Sequence, residues 1–193
     1  MSAITISRQT GSRGDDLARQ LAQHLGWRWV SRNLINEAAL AAGAPQVALA
    51  EIDELGFFDL TPSTKEWQAY QSQVEHIIRE LANEGNVVIV GRGGQVVLRD
   101  HPDILHLRIV APLETRRTWL QEERNMSVPA ALAWLEKSSQ TRNRYLQRCY
   151  RVRVDDPTLY HLVINTGLID MSQAVNLVIQ TFRALVEKKE VKD

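Results

Sequence analysis

Gly11 and Gly14 sit in a polar run, Ser7-Arg-Gln-Thr-Gly-Ser-Arg-Gly-Asp-Asp16. Ahead of it, Ala3-Ile-Thr-Ile-Ser7 is β-branched and reads as a strand. Behind it, Leu17, Leu21 and Leu25 fall on one helical stripe. Strand, glycine loop and helix in that order is how phosphate-binding loops are built. The glycines let backbone N–H groups turn inward, and the helix N-terminus adds partial positive charge. Here the loop amides would hold phosphate oxygens, with Arg8 and Arg13 as nearby cations.

The run is not the Walker A string G-x-x-x-x-G-K-S/T, in which Lys reaches the outer phosphates and Ser/Thr holds magnesium. Aligned on Gly11, Gly14 falls at the lysine and Asp16 at the Ser/Thr. Arg8 and Arg13 can supply the missing charge. Asp15 and Asp16 lie just inside the first helix, where they can bind a metal, pair with Arg13 or favour the helix dipole. The metal ligands stay unassigned. The alternative is an ordinary strand-to-helix turn whose glycines supply only backbone freedom.

Further along, Asn86-Val-Val-Ile-Val-Gly91 is an apolar run bounded by turn residues, the pattern of a buried parallel strand, and Arg92 follows it directly. A charge at that point suits anion binding, or a surface pair with a carboxylate. Between Lys137 and Val154 there is no acid, but there are Arg142, Arg144, Arg148, Arg151 and Arg153. Arg144, Arg148 and Arg151 share a helical face at i, i+4 and i+7. Arginine forks suit phosphate oxygens, so this stretch reads as a phosphate-clamping lid over about 126–154. The competing reading is a solvated basic face.

These residues need elements to position them. The chain of 193 residues suits one domain with a sizeable core, taken as 1–193. Lys+Arg and Asp+Glu balance at 23 each, which argues against nucleic acid and anionic membrane as partners. Cys149 is the sole cysteine, no apolar run is long enough to span a membrane, and the N-terminus enters a strand without a signal pattern. A cytoplasmic location is expected; the oligomeric state stays open. Five short strands alternate with helices: 3–7, 27–30, 86–91, 104–110 and 160–165. Ser31 or Asn33 can cap a helix over 34–42, Pro45 can open another to about Leu55, and 56–62 is a break with an apolar plug. Ser63-Thr-Lys-Glu66 is a capping box for a long helix with Trp67, Tyr70, Val74, Ile77, Ile78 and Leu81 on one face. Pro112, Ser127 and Asp170 open the later helices. The order predicts an α/β fold with a five-stranded parallel sheet and helices on both faces. The Gly11/Gly14 loop, Gly91-Arg92 and Asn165-Thr166 would meet at its carboxyl edge, where such sheets bind ligands. The histidines have no metal-ligand spacing, and core packing is the default for the tryptophans and Tyr70.

Taken in order, ITISRQTGSRG, VVIVGRGG, LRIVAPLETR, TRNRY and LVINT span nearly the whole chain. On these motifs the sequence resembles the cytidylate-kinase-like P-loop proteins of the nucleoside monophosphate kinase superfamily. The resemblance implies a P-loop fold, ATP and Mg2+ as cofactors, and transfer of the γ-phosphoryl group to a nucleoside monophosphate, CMP-like. Gly11, Ser12 and Gly14, with Asp15 and Asp16 following, match the phosphate-cradling loop. Arg92, beside Gly91, matches the arginine of a Gly-Arg-Asp motif that contacts the acceptor phosphate. Arg142 matches a lid arginine, with Arg144 close by. Tyr70 and Gln71 lie where relatives hold the acceptor nucleoside. Gly93 stands where cytidylate kinases have an acid, and Ser139 where lid motifs often have Asp. Two other readings remain: a nucleotide-binding regulatory protein without turnover, and a kinase for another small acceptor.

Overall fold

The computed structural model describes residues 2–46 and 63–190. Most of the helix expected from Pro45 to Leu55, and the break at 56–62, lie outside the described residues. The elements run β1 (Ala3–Arg8), α1 (Gly14–Leu25), β2 (Arg28–Val30), α2 (Arg32–Ala41), α3 (Thr64–Glu84), β3 (Val87–Val90), α4 (Gly94–Val97), β4 (Ile104–Val110), α5 (Leu113–Arg124), α6 (Val128–Tyr150), β5 (Leu162–Asn165) and α7 (Met171–Glu190). The strands form one parallel sheet in the order β2-β3-β1-β4-β5. The five-stranded parallel sheet and its alternation with helices are what the sequence pattern predicts.

Local chemistry explains the boundaries. The Ser31 hydroxyl accepts the Leu34 N–H, which settles the cap of α2 on Ser31. Ser63 and Glu66 form the reciprocal capping box of α3. Asp170 accepts the Gln173 N–H at 2.8 Å, and the Gln173 side chain accepts the Asp170 N–H at 3.3 Å. Each box satisfies amides that a helix start leaves without partners.

Because strand side chains alternate, the sheet builds two cores. Ile4, Ile6, Val88, Val90, Leu105 and Leu107 pack on Leu17 and Leu21 of α1 and on Val175, Val178 and Phe182 of α7. On the other face Ala3, Val87, Ile89 and Ile104 pack on Tyr70, Val74 and Ile78 of α3 and on Tyr145 and Leu146 of α6. Ile77 and Leu81, expected on the inner face of α3, are only partly buried against this core.

That second face carries a polar stripe. The β1–β4 register sets Thr5 opposite His106 and Ser7 opposite Arg108. Thr5 Oγ1 and His106 Nδ1 lie 2.7 Å apart, and Arg108 Nη1 donates to Ser7 Oγ at 2.8 Å. All four are buried. The stripe leads from mid-sheet toward the carboxyl edge.

Burial, aided by the neighbouring His161, holds the His106 imidazole down at about 4. In the unfolded chain it titrates near 6.5, so it takes up a proton on unfolding between those values. The stability it contributes is complete above pH 6.5 and is lost as the pH falls toward 4, by up to about 3 kcal/mol. Denaturant unfolding at pH 7.5 and pH 4.5 should show this loss, and His106→Gln should flatten the slope between them.

Candidate functional site

The glycine loop runs from the end of β1 to the start of α1, with Gly11 and Arg13 in the left-handed region at φ +75° and +55°. Its outer wall is fixed from below. Ser12, fully buried, donates from its hydroxyl to the Gln9 carbonyl at 2.8 Å. Thr166, just past β5, donates to the Ser12 carbonyl at 2.8 Å. Arg116 of α5, also buried, donates to the carbonyls of Ala111 at 2.9 Å and Thr10 at 3.5 Å. A Cβ at Gly11 would come within 2.8 Å of the Arg116 carbonyl oxygen, so only glycine lets the loop approach α5 this closely. Burial lowers the pKa of both Arg108 and Arg116 from the usual guanidinium value.

Gly14 explains the missing lysine. A Cβ built there would stand 2.5 Å from Arg8 Cβ and 2.9 Å from Arg8 Cγ. The Arg8 side chain, rising from the end of β1, therefore occupies the space into which a side chain at position 14 would grow. Its guanidinium forms a fork with Asp15, Nη2 to Oδ1 at 3.0 Å and Nε to Oδ2 at 3.1 Å. A guanidinium thus stands at the strand end, while the first turn of the helix carries no cation.

Arg8 opens into a cleft under α6 that also takes in Arg32, Arg92 and Arg142. Three elements and the turn after β3 contribute these four arginines, and no carboxylate lines the cleft among the described residues. Arg92 is buried, in the left-handed region at φ +52°. Its Nε donates to Asn36 Oδ1 at 2.7 Å, and its guanidinium lies 5.3 Å over the Tyr145 ring. The hydroxyls of Tyr145 and Tyr150 donate to its carbonyl. Arg142 reaches from α6 to Thr10 Oγ1 at 2.9 Å, beside a Thr10–Ser138 hydroxyl pair, so the helix is pinned to the glycine loop.

A second cleft lies on the outer side of the same loop, lined by Gly11, Gly14, Asp15, Asp16, Trp119 and Glu123 among others. Arg13 stacks its guanidinium on Trp119 at 4.2 Å and makes no pair with either acid. Asp16 pairs with Arg19 instead.

The remaining candidates fall away from the clefts. Tyr70 is fully buried, so it offers no ring face to a ligand; its hydroxyl donates to Asn36 Oδ1 at 3.0 Å. Gln71 donates to Glu75 Oε1 at 2.8 Å and to the Cys149 carbonyl at 3.0 Å, which ties α3 to α6. Arg144 is exposed and lines neither cleft. The arginine face read at 144, 148 and 151 does not act as one: α6 ends at Tyr150, Arg151 is its left-handed cap, and Arg148 stacks on Trp67 at 4.2 Å. Gly93, where related motifs have an acid, is left-handed at φ +76°, and a Cβ there would meet the Tyr150 ring. Burial pushes the Cys149 thiol up to about 12, which leaves it unreactive. Arg32, Asn36 and Trp119 lie in no motif, and Thr10 and Arg108 lie inside quoted motifs without an assigned role. Arg108 alone had a readable signal, a cation inside the apolar run of β4.

The sheet, the loop at its carboxyl edge and the arginine-bearing helix above it define a P-loop kinase-like α/β fold. A gluconokinase from Sinorhizobium meliloti superposes with a TM-score of 0.60 at 11% identity, covering 100% of this chain and 97% of that one. A protein from Eubacterium ventriosum superposes with a TM-score of 0.75 at 24% identity, covering 95% and 99%. The cytidylate kinase-like family matches residues 3–168, and the chain belongs to that family. Among its relatives, the cytidylate kinase of Methanothrix thermoacetophila is 27% identical over 94% of this chain and 98% of its own. That of Pyrococcus horikoshii is 30% identical over 85% and 79%.

The overlap of Arg8 with position 14 is open to test. Gly14→Lys alone should lower stability by about 1–3 kcal/mol, as overpacking does. Adding Arg8→Gly should recover most of that loss in denaturant unfolding. A double variant no more stable than Gly14→Lys would show that the two side chains do not compete.

Proposed function

We propose that the protein is a kinase that transfers the γ-phosphoryl group of ATP to a small phosphorylated acceptor, a nucleoside monophosphate with CMP as the leading candidate. One observation carries this reading: one cleft lies along the glycine loop, and a second, starting from Arg8 at the end of β1, gathers four arginines with no carboxylate among the described residues. Phosphoryl transfer asks little else of a protein than positioned phosphates and positive charge around the group in transit. The loop amides of Gly11, Ser12 and Gly14 hold the donor phosphates, and the donor base lies on the outer side against Trp119. Arg8 serves as the cation a lysine supplies elsewhere, with Arg13 at the loop's outer rim. Arg92 grips the acceptor phosphate with its fork. Arg142 closes from α6 over the transferred group; Arg144, on the exposed side, is assigned no contact.

Magnesium suits the donors present. Asp15 and Asp16 place hard carboxylate oxygens at the start of α1, each side chain 45% exposed and so open to a hydrated ion. Asp16, at the Ser/Thr position, would hold the ion, which would neutralise charge on the donor phosphates, while Asp15 keeps both oxygens on Arg8. The partners are then small-molecule nucleotides rather than nucleic acid. Among the described residues no helix is long and apolar enough to cross a membrane.

The reading of a nucleotide-binding protein without turnover rests on the Arg8–Asp15 fork, which engages the one cation in the lysine's place.

A coupled ADP-release assay with Mg-ATP and CMP separates these readings. Under the kinase reading Arg92→Ala raises the KM for CMP by about 10–100-fold, the worth of a lost charge-assisted hydrogen bond, and leaves the KM for ATP within a factor of about two. Under it Arg8→Ala lowers kcat. Nucleotide binding by calorimetry without ADP release would favour the non-catalytic reading. Loss of ring stacking in Trp119→Ala should weaken ATP binding by about tenfold.

A further inference from the structure

We infer that Asn36 is a positioning residue for Arg92, and that the buried Tyr70 hydroxyl in turn fixes Asn36. The inference rests on the reading of Arg92 as the acceptor arginine, but its geometry stands apart from that reading. Asn36 sits on α2, Tyr70 on α3 and Arg92 in the turn after β3. Asn36 Oδ1 accepts from Arg92 Nε at 2.7 Å and from Tyr70 at 3.0 Å. Arginine is a donor only, so the amide must turn its oxygen toward Arg92, and Tyr70 must then donate. The amide orientation is fixed by chemistry rather than by choice.

The arrangement has a consequence that a carboxylate in the same place would not give. An Asp at 36 would also orient the guanidinium, but it would cancel the charge that an anion must meet. A neutral amide oxygen orients the side chain and leaves its charge intact. The bond uses Nε, which leaves the two terminal nitrogens as the fork for two phosphate oxygens. Arg92 meets no carboxylate among the described residues, and its other neighbour is the Tyr145 ring face. The ring and the amide together hold the guanidinium from two sides. Tyr70, which the residues alone predict to be core and only the resemblance sets near the acceptor, is core and acts two bonds away from it. The hydroxyl of a fully buried tyrosine needs a partner, and this one donates to the residue that aims Arg92.

The test uses the full chain with Asn36→Leu, Asn36→Asp and Tyr70→Phe, read in two ways. In the coupled assay the KM for CMP should rise about tenfold in Asn36→Leu, several-fold in Asn36→Asp and less in Tyr70→Phe, consistent with one charge-assisted bond. The KM for ATP should stay near the wild-type value in all three. Equal rises in both KM values would mean a general structural role and would overturn the inference. The second readout needs no activity: the Nε–H resonance of Arg92 in 15N-labelled protein, assigned with Arg92→Lys. It should be shifted and protected from exchange in the wild type and lost to averaging in Asn36→Leu. In Asn36→Asp it should persist with a further shift. An unchanged resonance in Asn36→Leu, or in Asn36→Asp should the leucine variant not fold, would overturn the inference. If the wild type turns over neither CMP nor another monophosphate, the acceptor reading fails while the resonance still decides the bond.

Discussion

The Arg8 side chain and a side chain at position 14 cannot occupy the molecule together. That exclusion organises the site. Gly14 must be bare because Arg8 Cβ lies 2.5 Å from where its own Cβ would be. The first turn of the helix carries no cation, and the last residue of the strand, Arg8, carries one. A guanidinium replaces an ammonium, so the group is planar and forked rather than a point charge. Asp15 holds it by two contacts and keeps it aimed along the cleft.

The rest of the structure serves that loop. Arg116 and Thr166 brace its carbonyls from α5 and the end of β5, and the Ser7–Arg108 pair anchors the strand that feeds it. Burying two guanidiniums under a loop is costly unless their donors are satisfied, and here backbone carbonyls and a hydroxyl satisfy them. The same sheet that packs two apolar cores thus delivers cations to one edge, because its register sets Ser7 beside Arg108.

Much of this was legible in the sequence. The alternation of apolar strands and capped helices fixed the class of fold, because burial on both faces leaves continuous β-branched runs such as Val87–Val90. The glycine loop and Arg92 were visible for the same reason: a turn residue or a charge at the end of a buried strand stands out. What could not be read was lateral. Asn36 meets Arg92 across 56 residues and Arg142 meets Thr10 across 132, and no local pattern encodes such meetings. The face drawn through Arg144, Arg148 and Arg151 assumed a helix that continues, whereas the backbone turns left-handed at Arg151. Tyr70 was placed near the acceptor by analogy; the apolar stripe it belongs to buries it completely.

The measurement that bears most directly on this account is single-turnover transfer from labelled ATP to CMP by the exchange variant Arg8→Gly/Gly14→Lys beside the wild type and Arg8→Ala. If Arg8 stands in for the lysine, the wild type transfers label and the exchange variant does so within about tenfold of its rate, a difference of about 1.4 kcal/mol in the barrier, while Arg8→Ala falls well below both. A wild type that transfers label with an exchange variant as slow as Arg8→Ala would contradict the substitution of one cation for the other. A wild type that transfers none to any monophosphate would contradict the kinase reading itself.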